Sequence, residues 1–428
     1  MAKTLDPMDV LRSLGSVEEL KAAAEQGLGP ATRPRLNTHI HLPPNFSAFE
    51  SVEQAVATAA DQDVTVLGVG NYYDYRVYGD FVQEAIKRGV FPLFGTEIIA
   101  IDKDFQKDGV KVNDPGNPGR VYLCGKAISS FCPPSDRAQE LLHRIRQADE
   151  QRMVTMCDRM ADVFVTTDVP VGLDARQVIQ RVAQRHGCDA SLVVLQERHI
   201  AQAFQERIFE VIPEEERAQK LAAVYCMEPQ ADMTNPVAVQ NEMRSALMKA
   251  GRPCYVAEDF VGLDEARELI RALGGIDCYP IIADGINPLS PFEAPVDTLI
   301  SNLRNLGFHM VEVITGRNAP EVLTDYVTKL RAAGLVVAAG TEHNTLDLIP
   351  MEPQCKGQVE VPENVKEIFW EGVCITAAHQ FLVAQGECGY VDADGALHPD
   401  YDSAEDRIAA FKQLGAAVIE SYFEKVKS

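Results

Sequence analysis

Positive charge is scarce in this chain: forty Lys and Arg stand against sixty-three Asp and Glu, a formal net charge of −23 over 428 residues. Such a surface repels a nucleic-acid backbone and an anionic membrane, so neither is an expected partner. No run of about eighteen apolar residues is present to span a bilayer. The first ten residues, two of them aspartates, include no apolar stretch of the kind that opens a signal peptide. The ten cysteines form no C-x-x-C pair and lack the density of a secreted disulfide scaffold, which reads as buried thiols in a reducing compartment. The cytoplasm is therefore the expected location. A Gly-rich phosphate loop is also missing, because Gly68-Val-Gly70 lacks the third glycine, and there is no G-x-S-x-G elbow. These absences argue against an NTPase, a nicotinamide enzyme and a serine hydrolase of the elbow type.

What is present is an ordinary globular composition, 46% hydrophobic and 24% charged, without repeats or low-complexity tracts. Residues 1–34 read as a helical prefix stopped by Gly27-Leu-Gly-Pro30. From Arg35 onward short apolar runs alternate with amphipathic stretches: Leu36–Leu42, Val64–Val69, Val90–Ile101, Val121–Ala127, Cys278–Ala283, Met310–Ile314 and Leu335–Ala339. That alternation predicts βα units in a mainly parallel sheet, open or closed into a barrel, over residues 35–350. The stretch from about 135 to 252, rich in Ala, Gln and Arg, predicts an insertion of three or four helices, with a strand only at Ser191–Leu195. Residues 351–428 form a C-terminal extension: a helix over Pro362–Gln385, a hairpin turn at Gly389–Gly395 and a final helix over Ser403–Lys425. The insertion and the extension are the candidate surfaces either for covering a barrel mouth or for a homo-oligomer interface.

Asn37-Thr38-His39-Ile40-His41 lies in a predicted strand, where period-two alternation sends both histidines to one face and lets them share a divalent ion. The bland alternative is a pair of hydrogen-bonded core histidines. Glu97 is a lone carboxylate in the apolar run Phe91–Ile101 and must be ion-paired, ligating or costly to bury. Gly340-Thr-Glu342-His343 and Asp284-Gly285 place further polar groups just after apolar strands, where sites of α/β folds gather. Asp392-Ala-Asp394-Gly395 lacks the later Glu of a calcium loop and reads as a turn.

The order of these segments resembles the PHP (polymerase and histidinol phosphatase) family of metal-dependent phosphoesterases. The likeness runs from about Arg35 to Thr345. Leu36-Asn-Thr-His39-Ile-His41 is similar to the family's opening H-x-H, Phe91-Pro-Leu-Phe-Gly95-Thr-Glu97-Ile98 to its third-strand motif ending in a metal-bridging Glu, and Arg198-His199-Ile-Ala201 within Gln196–Ala201 to its R-x-H-I-A helix start. Leu263–Ile270 with the strand to Asp284, and then Val311-Glu312-Val313 with Val337–His343, follow its closing segments. Departures are equally plain. Gly68–Asp74 replaces the Thr-Asp-His-Asp motif, with Asn71 and Tyr72 at its centre and Asp74 as the one acid left to substitute. Tyr122 stands for a ligand His, Asp284 for the Ala-His-Pro histidine, and Glu342 for the closing Asp.

The resemblance implies a distorted (βα)7 TIM-like barrel related to the amidohydrolases, with His39, His41, Glu97 and His343 as metal ligands for one or two Mn, Zn or Fe ions. On this reading Asp284 and Glu342 are the candidates for acid or base work, and His199, Arg198 and Tyr72 for holding a small polar substrate. The expected activity is hydrolysis of a small metabolite, a phosphate ester among the candidates. A metal-assisted isomerase or lyase acting on a sugar or sugar acid, and a degenerate barrel kept for binding, are the alternatives.

Overall fold

The computed structural model describes residues 6–257, 260–286 and 289–427. Eight strands are present, all but the short β5 following the apolar runs: β1 Arg35–Ile40, β2 Val64–Val69, β3 Phe91–Ile101, β4 Arg120–Lys126, β5 Val261–Gly262, β6 Ile276–Ile281, β7 Met310–Ile314 and β8 Val336–Gly340. Seven of them lie in the order β1-β2-β3-β4-β6-β7-β8, and the two-residue β5 attaches to β3. Every residue of β7 and β8 is buried, as expected for strands covered on both faces. The ends of the sheet meet. Ile40 bridges Glu342, and the Thr341 and Glu342 N–H groups donate to the His39 carbonyl at 3.2 and 2.9 Å. The result is a nearly closed, distorted TIM-like α/β barrel.

The distortion has one main source. All neighbours run parallel except β4, which is antiparallel to both β3 and β6. The C-terminal ends of β1 to β3 therefore share the barrel mouth with the beginning of β4, and Lys126 at the end of β4 pairs with Gly95, deeper than Glu97, which pairs with Cys124. Between β3 and β4 the chain makes an excursion over residues 102–119 that closes on itself, Asp102 N donating to Gly119 O at 2.7 Å. Asn113 latches it, donating to the carbonyls of Tyr122 and Pro280 at 2.9 and 3.0 Å.

The chain divides into two units: Met1–Leu42 with Val52–Leu142 and Val261–Ser428, and Pro43–Ser51 with His143–Phe260. In the first, helix Glu363–Ala384 packs on β8 and is itself covered by helix Ala404–Lys427, on which helix Val17–Glu25 rests. Ser16 caps that last helix through a reciprocal bond pair with Glu19. Between the two C-terminal helices, Val391 bridges Leu397 and Asp392 Oδ1 accepts the N–H groups of Asp394 and Ala396, so the acidic turn is a hairpin. The second unit is helical, its core a Met-rich cluster including Met153, Met156, Met160, Phe164 and Phe204. Ser191–Leu195 is not a strand. Asp189 accepts the Ser191 N–H and starts a 3-10 turn over Ala190–Leu192, local capping that outweighs the apolar run. Among the described residues no helix is long and apolar enough to cross a membrane.

Candidate metal centre

His39 and His41 leave the end of β1 on one face, their rings 5.1 Å apart, and β3 carries Glu97 to meet them. Glu97 Oε2 lies 3.1 Å from His41 Nε2 and 3.6 Å from His39 Nε2. The three residues are 2%, 0% and 6% exposed for His39, His41 and Glu97, so water does not solvate the carboxylate and neighbouring groups must. Burial pushes the Glu97 carboxyl up, but the hydrogen bond and charge of His41, with the hydrogen bond from Tyr72, help hold it below the usual carboxylate range. Its other oxygen, Oε1, accepts the Tyr72 hydroxyl at 2.5 Å. Burial and the Glu97 charge raise the Tyr72 phenol well above its ordinary value, so it stays a donor, and its ring stacks on His41 at 5.3 Å.

These residues fit a metal ion. One nitrogen from each imidazole and one carboxylate oxygen lie within 4.8 Å of one another. Three protein ligands with an open position is the arrangement of a catalytic ion, and the mixed N/O set suits zinc, manganese or iron. His39 Nε2 is buried and makes no hydrogen bond among the described residues. The space in front of it is kept clear by Gly70, where a Cβ would stand 2.5 Å from that nitrogen.

Two residues beneath the cluster did not emerge as site residues from the sequence. Glu312, wholly buried in β7, accepts His39 Nδ1 on Oε2 at 2.7 Å, and Oε1 receives the Lys126 ammonium at 2.5 Å and the Thr38 hydroxyl at 3.0 Å. Burial alone would raise the Glu312 carboxyl, but the charge of Lys126 and the hydrogen bonds from His39 and Lys126 hold it far below the ordinary range. Burial is the largest influence on the Lys126 ammonium and would lower it, but the Glu312 charge together with Cys124, Cys278 and the Glu312 hydrogen bond lifts it above its ordinary value. The signal was there to read: a single charge inside an otherwise apolar strand needs a partner, and these two supply each other.

The other expected site residues are placed as follows. His343 is buried beside the cluster, with Nδ1 on Thr341 Oγ1 at 2.6 Å and Nε2 on the Ile349 carbonyl at 3.0 Å; burial brings its pKa down to about 4. It is not among the converging ligand atoms. Glu342 bonds to the histidine strand by its backbone, accepting His41 N–H at 3.0 Å, while its carboxylate turns to Arg317 at 2.5 Å and Asn344 at 2.9 Å. Asp284 accepts Asn318 Nδ2 at 2.7 Å and the Ala319 N–H at 3.2 Å, tying the end of β6 to the start of helix Pro320–Ala332. Asp74 is held by Arg76 at 2.5 Å, and the Tyr122 hydroxyl accepts from Arg120 at 3.0 Å. His199 and Arg198 belong to the second unit. His199 Nδ1 accepts the Gln196 N–H at 3.1 Å at the start of helix Glu197–Val211, burial lowering its pKa to about 3, and Arg198 lies over the Phe46 ring.

Near Asp284, itself only half-buried, sits a fully buried acid. Glu293 accepts the Tyr279 hydroxyl at 2.9 Å and the N–H groups of Ile282 and Ala283 at 3.0 and 2.8 Å, yet burial dominates and raises its pKa to about 7. A carboxyl raised on folding contributes stability below its unfolded pKa and loses it as pH climbs through the folded value. Unfolding free energy from urea titration is thus expected to fall by on the order of 2–3 kcal/mol between pH 5 and 8 through this group. Glu293→Gln, which keeps the shape but cannot ionise, should lack that component. Parallel pH profiles for the two proteins would refute it.

No family profile matches the sequence, and no curated protein matches it either. Among solved structures the chain is similar to a protein described as a metal-dependent phosphoesterase from Bifidobacterium adolescentis, at 16% identity and a TM-score of 0.51 over 79% of this chain and 96% of that one. An amidohydrolase from Chromobacterium violaceum, solved with sulfate and without metal, aligns at 15% identity and a TM-score of 0.49 over 78% of this chain and 96% of its own. At such identity the first likeness speaks for the fold alone: this chain has the distorted barrel also found in a protein described as a metal-dependent phosphoesterase.

Proposed function

We propose that the chain is a metal-dependent hydrolase acting on a small polar metabolite, phosphate esters first among the candidates. The observation that carries the proposal is the convergence of His39, His41 and Glu97 in a buried cluster at the barrel mouth. His39 and His41 would hold the ion through their Nε2 atoms and Glu97 through Oε2. A divalent ion bound there supplies a Lewis acid that polarises a carbonyl or phosphoryl oxygen and makes water acidic enough to attack near pH 7. Tyr72 keeps Glu97 oriented by occupying its other oxygen. Of the two acids suggested by the sequence, Glu342 is our candidate for moving a proton, because its backbone is bonded to the segment that carries both histidines and its partner Arg317 is half exposed. Asp284 is committed to Asn318 and a helix start.

Elemental analysis of protein purified without chelator tests this reading. About one or two equivalents of Mn, Fe or Zn are expected in the wild type, lost in both His39→Ala and Glu97→Ala. Phosphatase and amidohydrolase substrate panels would then follow, with activity removed by chelator and restored by the ion found. A folded wild type that takes up none of these ions when they are added back would overturn the proposal.

A further inference from the structure

We infer that Lys126, acting through Glu312, fixes the tautomer of His39, keeping the proton on Nδ1 so that a lone pair on Nε2 faces Glu97 and the space beside Gly70. Both are positioning residues. Their purpose rests on the metal-centre reading, although the test below does not.

Glu312 Oε2 stands 2.7 Å from His39 Nδ1, and an ionised carboxylate only accepts, so Nδ1 carries the hydrogen. A proton on Nε2 would find no acceptor in range among the described residues, since Glu97 Oε2 is 3.6 Å away. Glu312 cannot turn to offer something else. Its Oε1 is held by two donors, Lys126 Nζ and Thr38 Oγ1, and Lys126 is itself fixed by a second bond to the Thr38 carbonyl at 3.1 Å. Gly340 closes the other side: a Cβ there would meet His39 Cβ at 2.4 Å and Glu312 Oε1 at 3.0 Å. The chain of contacts crosses β7 from an ammonium to an imidazole whose far nitrogen is left without a hydrogen bond.

The lysine matters because it dictates which end of a substituted side chain faces His39. In Glu312→Gln the amide has one accepting oxygen and one donating NH2. Lys126 and Thr38 draw the oxygen, so the NH2 faces Nδ1, and the His39 proton must move to Nε2. In the double variant Lys126→Met/Glu312→Gln the ammonium is gone, the amide turns its oxygen to His39, and the Nδ1–H form returns. Long-range proton–nitrogen NMR on protein stripped of metal reads the tautomer directly, with His39 assigned among the nine histidines by a His39→Gln spectrum. Expected are Nδ1–H in wild type, Nε2–H in the single variant and Nδ1–H in the double. Zinc affinity, measured by competition with a chelating dye, should fall 10- to 100-fold in Glu312→Gln and largely recover in the double.

An Nε2–H or doubly protonated His39 in the wild type overturns the inference, whether or not the single variant folds. So does a single variant that keeps Nδ1–H, or a double variant that stays Nε2–H. Tautomers that switch as stated in a protein that takes up none of Zn, Mn or Fe would uphold this device and sink the metal-centre reading instead.

Discussion

Replacing Lys126 alone with methionine is expected to cost about 3–5 kcal/mol of unfolding free energy, the loss that follows when one partner of a buried ion pair is removed and the other is left inside. Lys126 and Glu312 are 3% and 0% exposed, so neither charge can be rescued by solvent. Methionine matches the stem of lysine and creates little cavity, which separates the electrostatic loss from a packing defect. The Lys126→Met/Glu312→Gln double variant removes both charges and should lose less than about 2 kcal/mol, so the two single losses are strongly non-additive. Urea titrations of the four proteins close the cycle. A single-variant loss below about 1 kcal/mol would mean that the pair is not the buried anchor described above.

Gly70→Ala is expected to weaken zinc retention on the order of 100-fold although no ligand is altered. The added methyl would lie 2.5 Å from His39 Nε2 and 2.7 Å from its Cδ2, closer than such atoms approach. The ring cannot swing aside cheaply, because Glu312 holds its other nitrogen. The methyl group must therefore fill the space an ion would need or drag the imidazole off its partner. Gly172→Ala, a position where an added Cβ meets nothing within 4 Å, serves as the control and should bind zinc like wild type. Unchanged zinc affinity in Gly70→Ala would show that the ion, if bound, does not use His39 Nε2.

The seven strands of the barrel were legible because each is a short, largely apolar run set off by turn residues and amphipathic stretches, as burial on both faces requires. The direction of β4 was not. Val-Tyr-Leu-Cys-Gly reads as a buried strand from either end, and only the path of the connecting segments decides which way it runs. The H-x-H pair and Glu97 could be placed on a shared face because strand alternation fixes where a side chain points. Past the strand end that rule lapses. Glu342 and His343 both have left-handed backbone, with φ of 66° and 47°, and their side chains turn to Arg317 and to Ile349 in directions no periodicity encodes. Glu312 and Lys126 were missed for another reason: one is a lone charge in β7 and the other ends β4, and the pairing spans 186 positions, which local patterns do not report.

The reversal of β4 also gives the barrel a place to change. In an all-parallel barrel, a strand-to-strand link at the mouth must descend the outside as a helix before the next strand begins. Here the 102–119 excursion starts and finishes at the same rim, its two feet joined by the Asp102–Gly119 bond, with Ile101 and Arg120 paired directly beneath. Its exchange leaves the strand pairing of the wall below intact, at the cost of the Asn113 bonds to Tyr122 and Pro280 unless that latch is kept. A graft of different length or polarity at that neck can therefore reshape what reaches the mouth while His39, His41 and Glu97, rooted in β1 and β3, keep their footing.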